Sequence, residues 1–110
     1  MKNRLLTMNL LLGDLHAING LDFIVCGVLI AGESSYMEIS ENERIFKIII
    51  EDSTLIDRLL DEVPCYMGGE DLYRDAAKIM ATISVKENSV VVISKVSSGV
   101  LTRDDDNFSF

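Results

Sequence analysis

Several constellations in this chain carry residue types capable of chemistry. Gly68-Gly69, followed by Glu70-Asp71, has the glycine content of a loop whose backbone amides can approach an anion. A phosphate loop also needs a helix N-terminus, and usually a lysine, behind it. Two carboxylates follow instead, and their charge repels a phosphate; the glycines read as a turn. His16 is the single histidine, so no nucleophile has another imidazole base to draw on. Its place at the end of a leucine-rich stretch reads as structural. His16, Cys26 and Cys65 lack the close paired spacing of zinc ligands, and Asp104-Asp105-Asp106 lacks the surrounding spacing of a calcium loop. The expectation is a protein with no catalytic residue, no metal and no other cofactor, hence not an enzyme.

The acids between residues 51 and 75 rise above that background. Glu51, Asp52, Asp57, Asp61, Glu62, Glu70, Asp71 and Asp75 stand against Arg58 and Arg74, a net charge of -6, within a chain of net charge -8. Such a surface opposes nucleic-acid binding, which rests on lysine and arginine releasing phosphate counterions. It favours steered association with a basic protein, such as a nuclease toxin shaped for phosphates. The expected partner-binding set is Asp57, Asp61, Glu62, Tyr66, Glu70, Asp71, Tyr73 and Asp75.

These residues need elements to hold them. At 110 residues and 48% hydrophobic composition the chain suits one domain with its own core. We expect that domain to span 1–103, with 104–110 a solvated acidic tail. The spacing predicts a short helix over 9–17 with Leu11, Leu12 and Leu15 inward, stopped at Asn19-Gly20. A long strand apolar on both faces follows over 21–31, with Gly27 marking a bulge or bend. Strands over 36–40 and 45–52 come next. A helix capped by Ser53 or Thr54 places Leu55, Ile56, Leu59, Leu60 and Val63 on one face, and Pro64 ends it. Residues 77–85 alternate as a fourth strand, and 90–96, continuing to 102, form a fifth. The order predicts a mainly β, α+β protein: an OB-like five-stranded antiparallel barrel with a helix between strands 3 and 4 and a short N-terminal helix. A curved sheet with both helices on one face is the alternative.

Cys26 and Cys65 read as buried thiols suited to a reducing cytoplasm. The N-terminal leucine run lacks a small-x-small cleavage site, and no stretch approaches the roughly 20 apolar residues that span a bilayer. No membrane association is expected. The chain is read as a monomer or weak dimer, the edge over 90–96 being a possible pairing surface.

The succession of Leu11, Leu12 and Leu15, then NGLDFIVCGVL, then LIDRLLDEVP, then GGEDLYRDAAKIMATI resembles small OB-like bacterial proteins found as immunity proteins of toxin systems, including contact-dependent growth inhibition. The resemblance covers residues 10–100. It implies a protein that binds and neutralises one cognate toxin by covering its active site or an adjacent surface. The alternative reading is an OB-fold nucleic-acid-binding or assembly module. No basic groove can be drawn from Lys47 and Arg44 beside the strand aromatics, which counts against nucleic-acid binding.

Overall fold

A computed structural model describes residues 4–65, 69 and 71–110. Among these, the strands are β1 (Arg4–Leu5), β2 (Asp22–Ala31), β3 (Ser35–Glu41), β4 (Arg44–Ile50), β5 (Tyr73–Lys86), β6 (Val90–Arg103) and β7 (Asp106–Ser109), and the α-helices are α1 (Met8–Leu12) and α2 (Leu55–Glu62). The strands β2-β3-β4-β6-β5 form a closed five-stranded barrel, because β5 returns to pair with β2. The barrel is mixed, not wholly antiparallel as expected. β4 and β6 run parallel through Ile49–Val92 and Ile50–Ile93, since α2 and β5 carry the chain back before β6 reaches β4. The short β1 adds to β2, also in parallel.

β2 and β5 show how the pattern becomes a core. Along β5, Tyr73, Asp75, Ala77, Ile79, Ala81 and Ile83 are buried while Arg74, Ala76 and Lys78 are exposed, the period-two alternation of a strand with one dry face. It pairs with β2 from Asp22–Thr82 to Ala31–Tyr73. On the other side of β2, β3 pairs only over Val28–Ala31 and β1 only at Phe23 and Ile24. Gly27 sits at that handover: a Cβ there would lie 2.1 Å from the Glu38 carbonyl oxygen. Only glycine lets β3 cross β2 so closely. Phe23, Val25, Leu29, Met37, Leu55, Leu59, Ile79, Ile83, Ile93 and Leu101 fill the interior.

β6 is one continuous strand bent by two register shifts against β5, which leave Ser97 and Ser94 as the extra residues. Shifts of this kind bend a strand and turn backbone groups out of the ladder. Partners meet them. The Val96 N–H donates to Asp52 Oδ2 at 2.9 Å, the Val96 carbonyl accepts from Arg58 Nη2 at 2.5 Å and the Ser97 carbonyl from Arg58 Nη1 at 3.4 Å. Gly99 exchanges both backbone bonds with Phe110 at 2.9 Å. The 90–96 edge, expected to be open for dimer pairing, is thus occupied at Val92, Ile93 and Val96.

Other expectations change. The stretch 104–110 is not a free tail: β7 pairs with β6 from Val100–Ser109 to Arg103–Asp106, and Phe108 and Phe110 pack against the core. The first helix is cut to Met8–Leu12 by Gly13, with a separate 3-10 turn at Leu15–Ala17, and Leu12 is 60% exposed. Cys26 is exposed and Cys65 half-buried, both free thiols, because Cys26 falls in the outward phase of β2. No helix among the described residues is long and apolar enough to cross a membrane.

Candidate functional site

The acidic helix is built from Asp52. Its carboxylate accepts from the Thr54 N–H at 3.0 Å and the Thr54 hydroxyl at 2.6 Å, folding a local turn that feeds the helix. Thr54 therefore supports Asp52 and makes no side-chain cap of its own. Burial raises the Asp52 pKa, but the bonds from Thr54 and Val96 and the charge of Arg58 outweigh it and hold the carboxyl below its usual 3.8. Leu55 and Leu59 are buried and Ile56 is half-buried, which aims Asp57, Asp61 and Glu62 at solvent. Leu60, expected inward, is 49% exposed. The helix stops where Val63 turns extended before Pro64, as the residue preceding proline prefers.

The structure divides the expected binding set. Asp57, Asp61 and Glu62 share the exposed face of α2 and form no ion pair among the described residues. Asp71 is half-buried and engaged by Arg74 at 3.1 Å; that hydrogen bond pushes the Arg74 guanidinium pKa upward. Tyr66 and Glu70 lie outside the described residues.

Tyr73 and Asp75 are corrections: both are interior. Tyr73 is wholly buried, and its hydroxyl donates to the Val63 carbonyl at 2.7 Å. Burial, with Cys65 and Asp75 nearby, raises its pKa above 10.0, Arg103 opposing. Asp75 is held by Arg103 through Nε at 3.0 Å and Nη2 at 2.8 Å, while Arg103 Nη1 reaches the Pro64 carbonyl at 2.6 Å. These residues tie the chain after α2 to β5 and β6; they cannot touch a partner without unfolding that corner. The inward phase of β5 puts them there.

Part of the charge on α2 works against its own dipole. Asp57 lies in the first turn, where the positive helix end favours it. Asp61 and Glu62 occupy the last turn, which has no base, and each costs about 0.3–1 kcal/mol against the negative end. They border a groove of about 370 Å³ that they share with Arg58, Ser109 and Phe110. The sequence reading missed Ser109 and Phe110. Their signal is the alternation Asn107-Phe108-Ser109-Phe110, a strand pattern behind the run of aspartates.

His16 is exposed, and its backbone N–H donates to Asp14 at 3.1 Å. No group of three or more His, Cys, Asp or Glu among the described residues is placed to hold a metal. No protein-family model, curated protein or solved structure matches this chain.

Proposed function

We propose that this chain is an acidic binding protein of the immunity or inhibitor class, which neutralises a basic, nuclease-type toxin by docking on the outer face of α2. The observation that carries the reading is the placement of Asp61 and Glu62, exposed, in no ion pair among the described residues and set against the helix dipole. A cationic partner relieves that local cost, and the net charge of -8 steers such a partner in. Asp57 and the groove beside Phe110 extend the surface. The mechanism is occlusion with charge complementarity, and the chain performs no catalysis. Two free cysteines suit a reducing cytoplasm.

The scaffold reading is an OB-like barrel. Its support is the strand order β2-β3-β4-β6-β5 with a helix between β4 and β5. A nucleic-acid-binding or assembly module is the second reading, favoured by Tyr36 and Lys47 on the outer face of β3–β4, the ammonium 5.0 Å from the ring centroid.

The test is affinity capture from the producing cell, using the wild-type chain beside a variant carrying Asp57→Lys, Asp61→Lys and Glu62→Lys. A basic protein retained by the wild type alone, whose nuclease activity the chain suppresses, supports the proposal. Equal retention by both chains, or retention of the chain on single-stranded DNA at physiological salt, overturns it.

A further inference from the structure

Lys78 stands apart from the acids of this chain. It projects from the outer face of the sheet, alternating with the buried Ala77 and Ile79. The ladder registers place Cys26 and Val100 directly beside it, with Ile24, Val28, Ser98 and Thr102 on the diagonals, the neighbours a side chain on a sheet can touch. Ala76 and Met80 flank it along its own strand. None of these neighbours carries a charge, and no ion pair engages Lys78 among the described residues. The next carboxylates on that face are Glu38, beyond Val28 and opposite Lys47, and Asp22, which accepts from the Thr82 hydroxyl. By strand spacing each lies more than about 10 Å from Lys78, past the roughly 8 Å over which exposed charges act at physiological salt.

A groove of about 510 Å³ lies beside this lysine. It opens next to the first register shift of β6, where Met80 meets Ser98 and Ala81 meets Val96, the kind of shift that bends a strand. Ile24 from β2, Lys78 and Met80 from β5, Ser98 and Val100 from β6, and Phe110 after β7 line it. No aspartate or glutamate does. Grooves of about 310 and 370 Å³ elsewhere are lined by Glu33, Glu51 and Asp52 and by Asp61 and Glu62. Phe110 closes the side away from Lys78, its N–H and carbonyl both bonded to Gly99.

We infer that this groove binds a small apolar carboxylate, of the class of a medium-chain fatty acid, with its head on Lys78 and its hydrocarbon body over Ile24, Met80, Val100 and Phe110. The volume falls in the range of small-molecule sites, whose walls are mostly apolar with a few polar groups that fix orientation. Here the ammonium supplies a charge-assisted bond and the Ser98 hydroxyl a further donor. A phosphate dianion fits poorly, because one cation among apolar side chains leaves most of its oxygens unmet. Four strands abreast span about 14 Å, which gives an extended chain room to lie across them. Ser109 and Phe110 border both this groove and the one beside α2. Lys78, Met80 and Ser98 border only this one, so a test placed there is independent of the helix reading.

The experiment is an amide-resolved NMR titration of the full chain with decanoate, decylammonium and butyrate, each below its micelle concentration. Decanoate gives saturable shifts at the amides of Lys78, Met80, Ser98 and Val100. Its affinity there is at least about fivefold tighter than that of decylammonium and at least about tenfold tighter than that of butyrate. Lys78→Met keeps an apolar stem, removes the charge and abolishes the preference for the carboxylate. Ser98→Phe, at an exposed position, fills the groove and weakens decanoate at least about tenfold; the amides of the buried Ile83 and Ile93 report that both variants keep the fold. The inference is overturned by a lack of saturation at these amides, by equal affinity there for decanoate and decylammonium, or by undiminished affinity in both variants. Shifts at the same amides on concentrating the free protein mark a second copy on this face and overturn it as well.

Discussion

Asp52 and Arg58 together close the part of the β6 edge that β4 and β7 leave uncovered, and Asp75 and Arg103 do the same for the corner behind α2. Both pairs bind backbone as well as each other. Asp52 is 11% exposed and sits 3.5 Å from Arg58. Because its folded pKa lies below 3.8, its contribution to stability is complete above the unfolded value and is lost as pH falls through the lower folded value. Asp52→Asn is therefore expected to flatten the acid side of the stability profile below about pH 4, measured as denaturant midpoints across pH. Arg103→Met is expected to cost about 3–5 kcal/mol, as breaking a buried pair does, because it removes the guanidinium fork that holds both Asp75 oxygens and the Pro64 carbonyl. Chemical denaturation measures that loss.

At the level of elements, β2 can serve two sheet edges only because Gly27 lets the Glu38 carbonyl lie against it. Gly27→Ala is expected to destabilise by about 1–3 kcal/mol through backbone displacement, checked by thermal melting with Gly20→Ala as a turn-site comparison. At Gly99 a Cβ would stand 2.5 Å from the Phe110 ring, so Gly99→Ala is expected to loosen β7, visible as faster amide exchange over 106–109. Much of this level was legible. Residues 77–85 announced an alternating strand, and 21–31 announced a long strand with a glycine at its bend, but not one covered on both sides: Asp22 and Cys26 are exposed on the outer face of its first half. The parallel β4–β6 contact was not, since nothing local records which strand a distant one will meet. Tyr73 and Asp75 were already in phase with Ile79, but a carboxylate at an inward position hides the pattern when its arginine lies 28 residues away. Three aspartates masked β7 in the same way.

The whole molecule carries its charge unevenly. Once Asp71 and Asp75 are engaged by arginines, the exposed acids of the candidate surface among the described residues reduce to Asp57, Asp61 and Glu62, together with the end of the groove at Phe110. The acid density of 51–75 was plain in the sequence, but which acids face solvent depends on partners supplied by β5 and β6. For the proposed basic partner, affinity is expected to weaken with added salt, chiefly through a slower association rate. The triple lysine variant is expected to lose at least about tenfold in affinity and most of that salt dependence. Calorimetry and stopped-flow measurements at stepped ionic strength check both.

The long ladder between β2 and β5 also sets an order in time. Ala31 meets Tyr73 and Asp22 meets Thr82, 42 and 60 positions away along the chain, whereas the β3–β4 hairpin closes across Asn42-Glu43. Hairpins of that kind form in about 1–10 μs, while pairings between distant segments wait for a large loop to close and place such β proteins in the millisecond-to-second range. The β3–β4 hairpin is thus the natural early structure, and β2 holds its unpaired side exposed until β5 arrives. Refolding should therefore grow more prone to aggregation as protein concentration rises, with β2 as the adhesive segment during that interval.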